Sequence, residues 1–333
     1  MTGNGRGGAA RFIAALLLVI LLPLCAACRG ERTDPPITVN GAAVDAGVFR
    51  YYYDRAAADP ANADRSRRIE AATAGCVEYV TVNSAFAERS LRLTGAERAA
   101  VSEAVNALWQ IFGSHYEKVG VTKAALYKLK TAEAMREELR SALFGKGGEA
   151  EVPEETLREW FSSRYLVLKW LRVPLTAADV YGNRRALTDE EREALLKTLS
   201  DAAVRVNAGA GPELVFASLA AAGEAPEQQL SAEPVQIGDP AYPAALYAAV
   251  EKIEPGRAAV CLLPDDAWLV IRSDPLSDPV WFSDCRAACL KAVSEPALSA
   301  EISAESALLK VVRSRAAAER IAEEIDRARS ARE

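Results

Sequence analysis

The stretch from Arg164 to Pro174, RYLVLKWLRVP, most constrains what this chain can fold into. Long segments on both sides repeat their apolar residues at helical spacing, whereas this run reads as a strand. Alternation places Tyr165, Val167, Lys169, Leu171 and Val173 on one face and Leu166, Leu168, Trp170 and Arg172 on the other. A strand here opens a second domain behind a helical first one. The 333 residues suffice for two domains with separate cores, and the balance of 50% apolar to 26% charged residues is that of a folded chain.

The N-terminal segment has a different character. Arg6 and Arg11 precede an apolar run from Phe12 to Leu24, and Ala26 and Ala27 lead to Cys28, the layout of a secretory signal over residues 1–27. The apolar run is short for a bilayer span. LCAAC, ending at Cys28, resembles a bacterial lipobox, with Cys25 an unusual residue at the third position before the modified cysteine. That resemblance implies lipidation of Cys28 and a firm hold on a membrane surface, at ~0.8 kcal/mol per buried methylene. An ordinary cleaved signal followed by a chance cysteine is the other reading. Residues 28–36 form a polar tether, and the remainder of the chain is expected outside the cytoplasm.

Loss of the leader removes two arginines and no acids, taking the net charge from −6 to −8. No basic stripe appears, so nucleic acid is not an expected partner. Cys76, Cys261, Cys285 and Cys289 are too scattered for a disulfide scaffold, and the sequence leaves open whether any of them pair. Cys285 and Cys289 fall on one helix face with Phe282 and Val293 and read as small core residues. His115 is the single histidine and no CxxC pair exists, so neither a metal centre nor a cofactor is expected. GxSxG, HExxH and dinucleotide fingerprints are all absent. The GKGG segment at 145–148 follows a helix and lacks phosphate-loop spacing, so it reads as a hinge.

Taken in order, Ile37 to Val39 reads as a strand, Asn40-Gly41 as a turn, and Asp45 as the cap of a helix bearing Val48, Phe49, Tyr52, Tyr53 and Ala56. Helices follow over about Arg65 to Leu91, from a Thr94/Glu97 capping box, and over about Thr122 to Phe144. In the middle one, Val101, Val105, Leu108, Trp109 and Phe112 are expected on one face. Beyond the opening strand, helices are expected at 189–207, behind Thr188/Glu191, at 212–222 and at 241–253. A polar segment containing Pro226 and Pro234 separates the last two, and strands at 258–263 and 267–271 complete the domain.

ITVNGAAVDAGVFRYYYD, the first folded segment, resembles the start of exported foldases of the SurA and PrsA type, and GSHYEKVGVTKAALYKL resembles their middle helices. VFASLA at 215–220, VEKIEPGRAAV at 250–260 and DAWLVIRSDP at 266–275 resemble elements of a parvulin-type prolyl isomerase domain. VWFSDCRAACLKAVSEPALSAEI at 280–302 resembles the helix that follows such a domain. The resemblance implies a mostly α protein: a helical chaperone domain over 37–163, an inserted α+β parvulin-like domain over 164–276, and C-terminal helices over 277–333 that return to the first domain.

It further implies unfolded or nascent exported polypeptides as partners, with dimerisation left open. Client contacts would come from Tyr51, Tyr52, Tyr53, Trp109, Phe112, Trp170, Phe216 and Trp268, although for the tyrosines core packing is an equal reading. The isomerase histidines do not carry across: Trp170 stands at the first position and Leu269 at the second, with Cys261 the one thiol near the expected site. Catalysis of prolyl isomerisation consists largely of stabilising a twisted amide over a barrier of ~18–20 kcal/mol. A pocket without these polar groups is expected to be inefficient. The expectation is therefore a lipid-anchored foldase or holdase with weak or absent isomerase activity. The alternatives are an active isomerase with rearranged groups and a surface lipoprotein for a small ligand.

Overall fold

The computed structural model describes residues 34–178, 181–220 and 227–330, so Cys28 and the leader lie outside the described residues. The fold is mostly α and divides into two compact units: one runs to Leu139 and resumes at Ala300, and the other is the continuous stretch Arg140–Ser299.

The first unit opens with β1 (Ile37–Val39) and β2 (Ala42–Ala43), joined through Asn40 and Gly41. Both turn residues have positive φ, 48° and 82°, which Asn and Gly adopt at little cost and which matches strand twist in a two-residue hairpin. Four helices follow: α1 (Ala46–Ala58), α2 (Arg65–Glu88), α3 (Gly95–Val119) and α4 (Lys123–Phe144). Their starts obey local chemistry. Asp45 accepts from the Gly47 N–H at 2.7 Å, Asp64 from the Arg67 N–H at 2.8 Å, and Thr94 with Glu97 closes a reciprocal capping box. Gly75 on α2 faces Tyr52, whose ring lies 2.5 Å from where a Cβ would stand, so only glycine lets that tyrosine lie flat on the helix.

Within the second unit, α4 ends in the GKGG turn. A Cβ at Gly148 would stand 2.3 Å from the Leu143 carbonyl oxygen, so the glycine serves close chain approach. Arg140, 2% exposed, donates to Ser294 Oγ at 3.2 Å and to Glu295 Oε2 at 2.6 Å. Next come α5 (Glu154–Arg164), β3 (Tyr165–Pro174), a small hairpin of β4 (Thr176–Ala178) and β5 (Arg184–Ala186), then α6 (Asp189–Asn207) and α7 (Pro212–Ala220). The unit continues with β6 (Glu227–Gln236), α8 (Ala244–Val250), β7 (Arg257–Leu262), β8 (Asp266–Ser273) and α9 (Pro279–Ala307). An antiparallel sheet in the order β6-β3-β8-β7 is the result.

The alternation read for β3 is realised, and both faces are covered. Leu166, Leu168 and Trp170 pack with α8 residues Leu246, Tyr247 and Val250, while Leu171 and Val173 pack with Leu199 and Ala202 of α6 and Val215 and Phe216 of α7. Each fully buried leucine contributes roughly 1.5–3 kcal/mol, which makes β3 the spine of this unit. Two expectations are corrected. The segment around Pro234, read as a polar connection, contains β6, and the β4–β5 hairpin was not expected. Both are strands with little buried surface: within β6 only Val235 is fully buried, so no apolar alternation announces it.

The chain re-enters the first unit within α9, at Ala300, and continues through β9 (Val311–Arg313), which pairs antiparallel with β1, and α10 (Arg315–Ser330). Ala318, Ile321, Ala322 and Ile325 of α10 complete the core with Ile37, Phe49, Tyr53, Cys76 and Leu126. Polar ties reinforce the closure. Asp326 accepts from Tyr53 Oη at 3.0 Å, Arg65 Nε at 3.0 Å and Arg68 Nη1 at 3.2 Å. Asp54 on α1 receives Arg329 at 2.7 Å and shares a 2.8 Å hydrogen bond with His115 on α3.

Candidate functional site

In the second unit the candidate surface is the α8-facing side of the sheet. Trp170 on β3 and Trp268 on β8 have ring centroids 4.8 Å apart, and Tyr242, just before α8, lies 6.4 Å from each. The Trp170 indole N–H donates to Gln229 Oε1 at 3.0 Å, and the Tyr242 hydroxyl donates to the same oxygen at 3.4 Å. Arg172 spans Glu227 and Asp266, each at 2.9 Å, with its guanidinium 5.7 Å from the centre of the Trp268 ring. Trp170 and Tyr242 are half-buried and Trp268 is buried, so the group forms an aromatic shelf more than a deep pocket.

Catalytic chemistry is sparse there. Cys261 pairs across the ladder with Trp268 and is 4% exposed; burial pushes its thiol up to about 11, away from the thiolate. Trp170 and Leu269 do not form a site together, contrary to the expectation that both mark one degenerate centre. Trp170 stands opposite Val270, whereas Leu269 stands opposite Leu171 and packs fully buried against α6 and α7 on the other face. A one-residue offset on a strand reverses the face, and on this side of β8 Trp170 has Val270 opposite and Trp268 alongside.

The second candidate surface belongs to the first unit. Trp109 and Tyr116 of α3 stack with centroids 6.3 Å apart, and Tyr51 of α1 joins Tyr116 at 6.4 Å and Tyr52 at 5.7 Å. The buried Gly113 gives Trp109 room, since a Cβ would stand 3.2 Å from its indole nitrogen. On the outer side of the same helix Ile111 is 70% exposed and Phe112 47%, in line with the exposed Ala104 and Ala107 and the half-buried Leu108. The single face expected for Val101, Val105, Leu108, Trp109 and Phe112 is thus split. Val101 and Val105 are buried in the core, and Leu108 and Phe112 belong to the outer stripe.

Among the residues expected to touch clients, Tyr53, Phe216 and Trp268 are corrected: they are 0%, 0% and 4% exposed and fill cores. Tyr51, Tyr52, Trp109 and Trp170 are half-buried, and Phe112 is open. Sequence reasoning missed Ile111, Tyr116, Gln229 and Tyr242. Ile111 was within reach, because it falls four residues after Ala107 and three after Leu108 on a helix whose core stripe lies elsewhere. Gln229 and Tyr242 come from segments with no apolar period. Cys76, Cys261, Cys285 and Cys289 are all free thiols. Among the described residues no cluster suits a metal ion, and no helix is long and apolar enough to cross a membrane.

No protein-family model matches the chain, and no curated protein does. Among solved structures, the chain is similar to a foldase protein, PrsA, from Lactococcus lactis at 12% identity and a TM-score of 0.39, covering 88% of this chain and 99% of that one. It is also similar to the foldase PrsA from Streptococcus pneumoniae at 12% identity and a TM-score of 0.35, covering 75% of this chain and 82% of that one. PrsA from Bacillus subtilis follows at 10% identity and a TM-score of 0.28, covering 75% and 80%. Superposition this loose leaves function to the chain's own residues.

Proposed function

We propose that the chain is an extracytoplasmic foldase or holdase, tethered by lipid at Cys28, that binds unfolded exported polypeptides and is at best an inefficient prolyl isomerase. The observation that carries this reading is the outer stripe of α3, where Leu108, Ile111 and Phe112 present apolar surface to solvent beside the aromatic row of Trp109, Tyr116 and Tyr51. Scattered exposed apolar residues are ordinary, but a contiguous stripe on one helix suits a binding surface. Aromatic and aliphatic contacts of this kind tolerate many sequences, which fits a protein with varied clients.

The weak-catalysis half of the reading rests on the shelf around Trp170. The N–H of Trp170 and the O–H of Tyr242 are both engaged by Gln229, and the Cys261 thiol is held neutral by burial. An apolar or prolyl side chain would find a ring surface there, while the Trp268 indole N–H, which has no partner, is buried away from a twisted amide lying on that surface. The resemblance in the sequence supports the same reading, including the place of the second unit within the first.

Aggregation of a chemically unfolded protein, followed by light scattering with increasing amounts of the full chain, tests the proposal. The double replacement Ile111→Ser with Phe112→Ser is expected to raise the amount needed for half-suppression about tenfold, the effect of losing ~1.4 kcal/mol of binding. Because both side chains are exposed, its urea midpoint should stay nearly unchanged. Equal suppression by the variant and the parent would remove α3 from the function. A proline-limited peptide assay on the same samples is expected to give little acceleration over the uncatalysed rate.

A further inference from the structure

Many arginines of the first unit hold carboxylates, among them Arg50 with Glu324, Arg65 with Glu323 and Asp326, Arg68 with Asp326, Arg89 with Glu301, Arg136 with Glu78 and Arg329 with Asp54. Arg313 and Arg315, like Arg92, Arg320 and Arg327, do not, and what sets these two apart is a shared cavity. Neither has a hydrogen-bonding or ion-pair partner for its side chain among the described residues, and both border one cavity of about 150 Å³ with Ser66, Ile69, Ala318 and Glu319. Their positions work against stability on their own. Two like charges two residues apart repel, and Arg315 opens α10, whose first turn contains no acid, at the end where the helix dipole disfavours a cation. Charge placement that conflicts with local preference is a mark of function.

We infer that this cavity binds a compact oxyanion, a carboxylate or phosphate group, held by the Arg313 and Arg315 guanidinium groups with the Ser66 hydroxyl as a third donor. Size and chemistry agree. At ~30 Å³ per water the cavity holds roughly five waters or one such group, and a guanidinium presents paired N–H donors that match an oxyanion. Ile69 and Ala318, 4% and 1% exposed, supply an apolar floor that weakens competition from solvent. Glu319 also faces the cavity, and its charge offsets one arginine. The site therefore has a net charge of about +1, which suits a single anionic group and predicts that removal of the Glu319 charge tightens binding. This site shares no residue with the α3 stripe and does not depend on the client reading.

The test is a titration of the full chain, followed by calorimetry and by NMR shifts of the residues around the cavity. One arm uses inorganic phosphate, and the other a short peptide with a free C-terminal carboxylate beside its amidated form. Saturable binding of either probe is expected, weakened at least tenfold by Arg313→Ala with Arg315→Ala and strengthened by Glu319→Gln. Partial retention is expected with lysine at both positions, since lysine keeps the charge and loses the fork. Phosphate binding alone would assign the site to a phosphate group, and binding of the free-acid peptide alone to a polypeptide carboxylate. Both arginines are exposed and unfavourably placed, so the alanine variant should unfold at or slightly above the parent's urea midpoint. Saturation by neither probe, or saturation that survives the double arginine replacement, would overturn the inference.

Discussion

At the scale of single residues, burial decides which side chains can act. The cysteines illustrate it. Burial pushes the thiols of Cys261 and Cys289 up to about 11 and raises those of Cys76 and Cys285 as well. A thiol whose folded pKa exceeds its unfolded value near 9 adds stability that is complete below pH 9 and is lost as pH rises through about 11. The urea midpoint is therefore expected to be insensitive to the thiols below pH 9 and to decline above it. At pH 8, alkylation mapped by mass spectrometry should reach the half-buried Cys285 first and Cys76, Cys261 and Cys289 only on unfolding. Rapid native labelling of Cys261 would contradict the packing of the sheet. The same scale shows what the sequence could not supply. Tyr53, Phe216 and Trp268 look like any other aromatic in the sequence, and only the fold shows that they are covered.

At the scale of elements, residues that satisfy local chemistry were legible and those that rely on neighbours were not. Thr94 with Glu97 and Thr188 with Glu191 form reciprocal capping boxes, as their spacing predicts. Arg185 beside Glu191, together with the Thr188 N–H, holds that carboxyl down to about 2, so its contribution is present above pH 4.5 and is lost as pH falls toward 2. Replacing Thr94 with Ala is expected to lower stability by about 1 kcal/mol, measured as a shift in urea midpoint at constant slope. A shift within error would mean that the start of α3 is held by packing alone. By contrast, β6 has an alternation too weak to read, because it lies at the sheet edge and owes its place to β3. Register carried the other error: a resemblance of short motifs cannot fix whether position 268 or 269 shares a face with Trp170, and one residue decides it.

At the scale of the whole molecule, the continuous stretch of a second unit interrupts the chain of a first whose core needs residues from both sides of that stretch. The helical character of the first unit and the mixed character of the second were legible, since both rest on periodicity that survives without neighbours. The binding surface was legible only in part. Phe112 was identified, but Ile111, the most exposed large apolar residue on that helix, belongs to a second stripe separate from the core stripe. The central claim, that unfolded chains are held on α3, is tested most directly by site-specific photo-crosslinking. A photoreactive residue placed at Phe112, at Trp170 or at Glu254 is irradiated with an unfolded client, and the adducts are quantified. Strong adducts at position 112, weaker ones at 170 and background at 254 are expected. Adducts no stronger at 112 than at 254 would contradict the account.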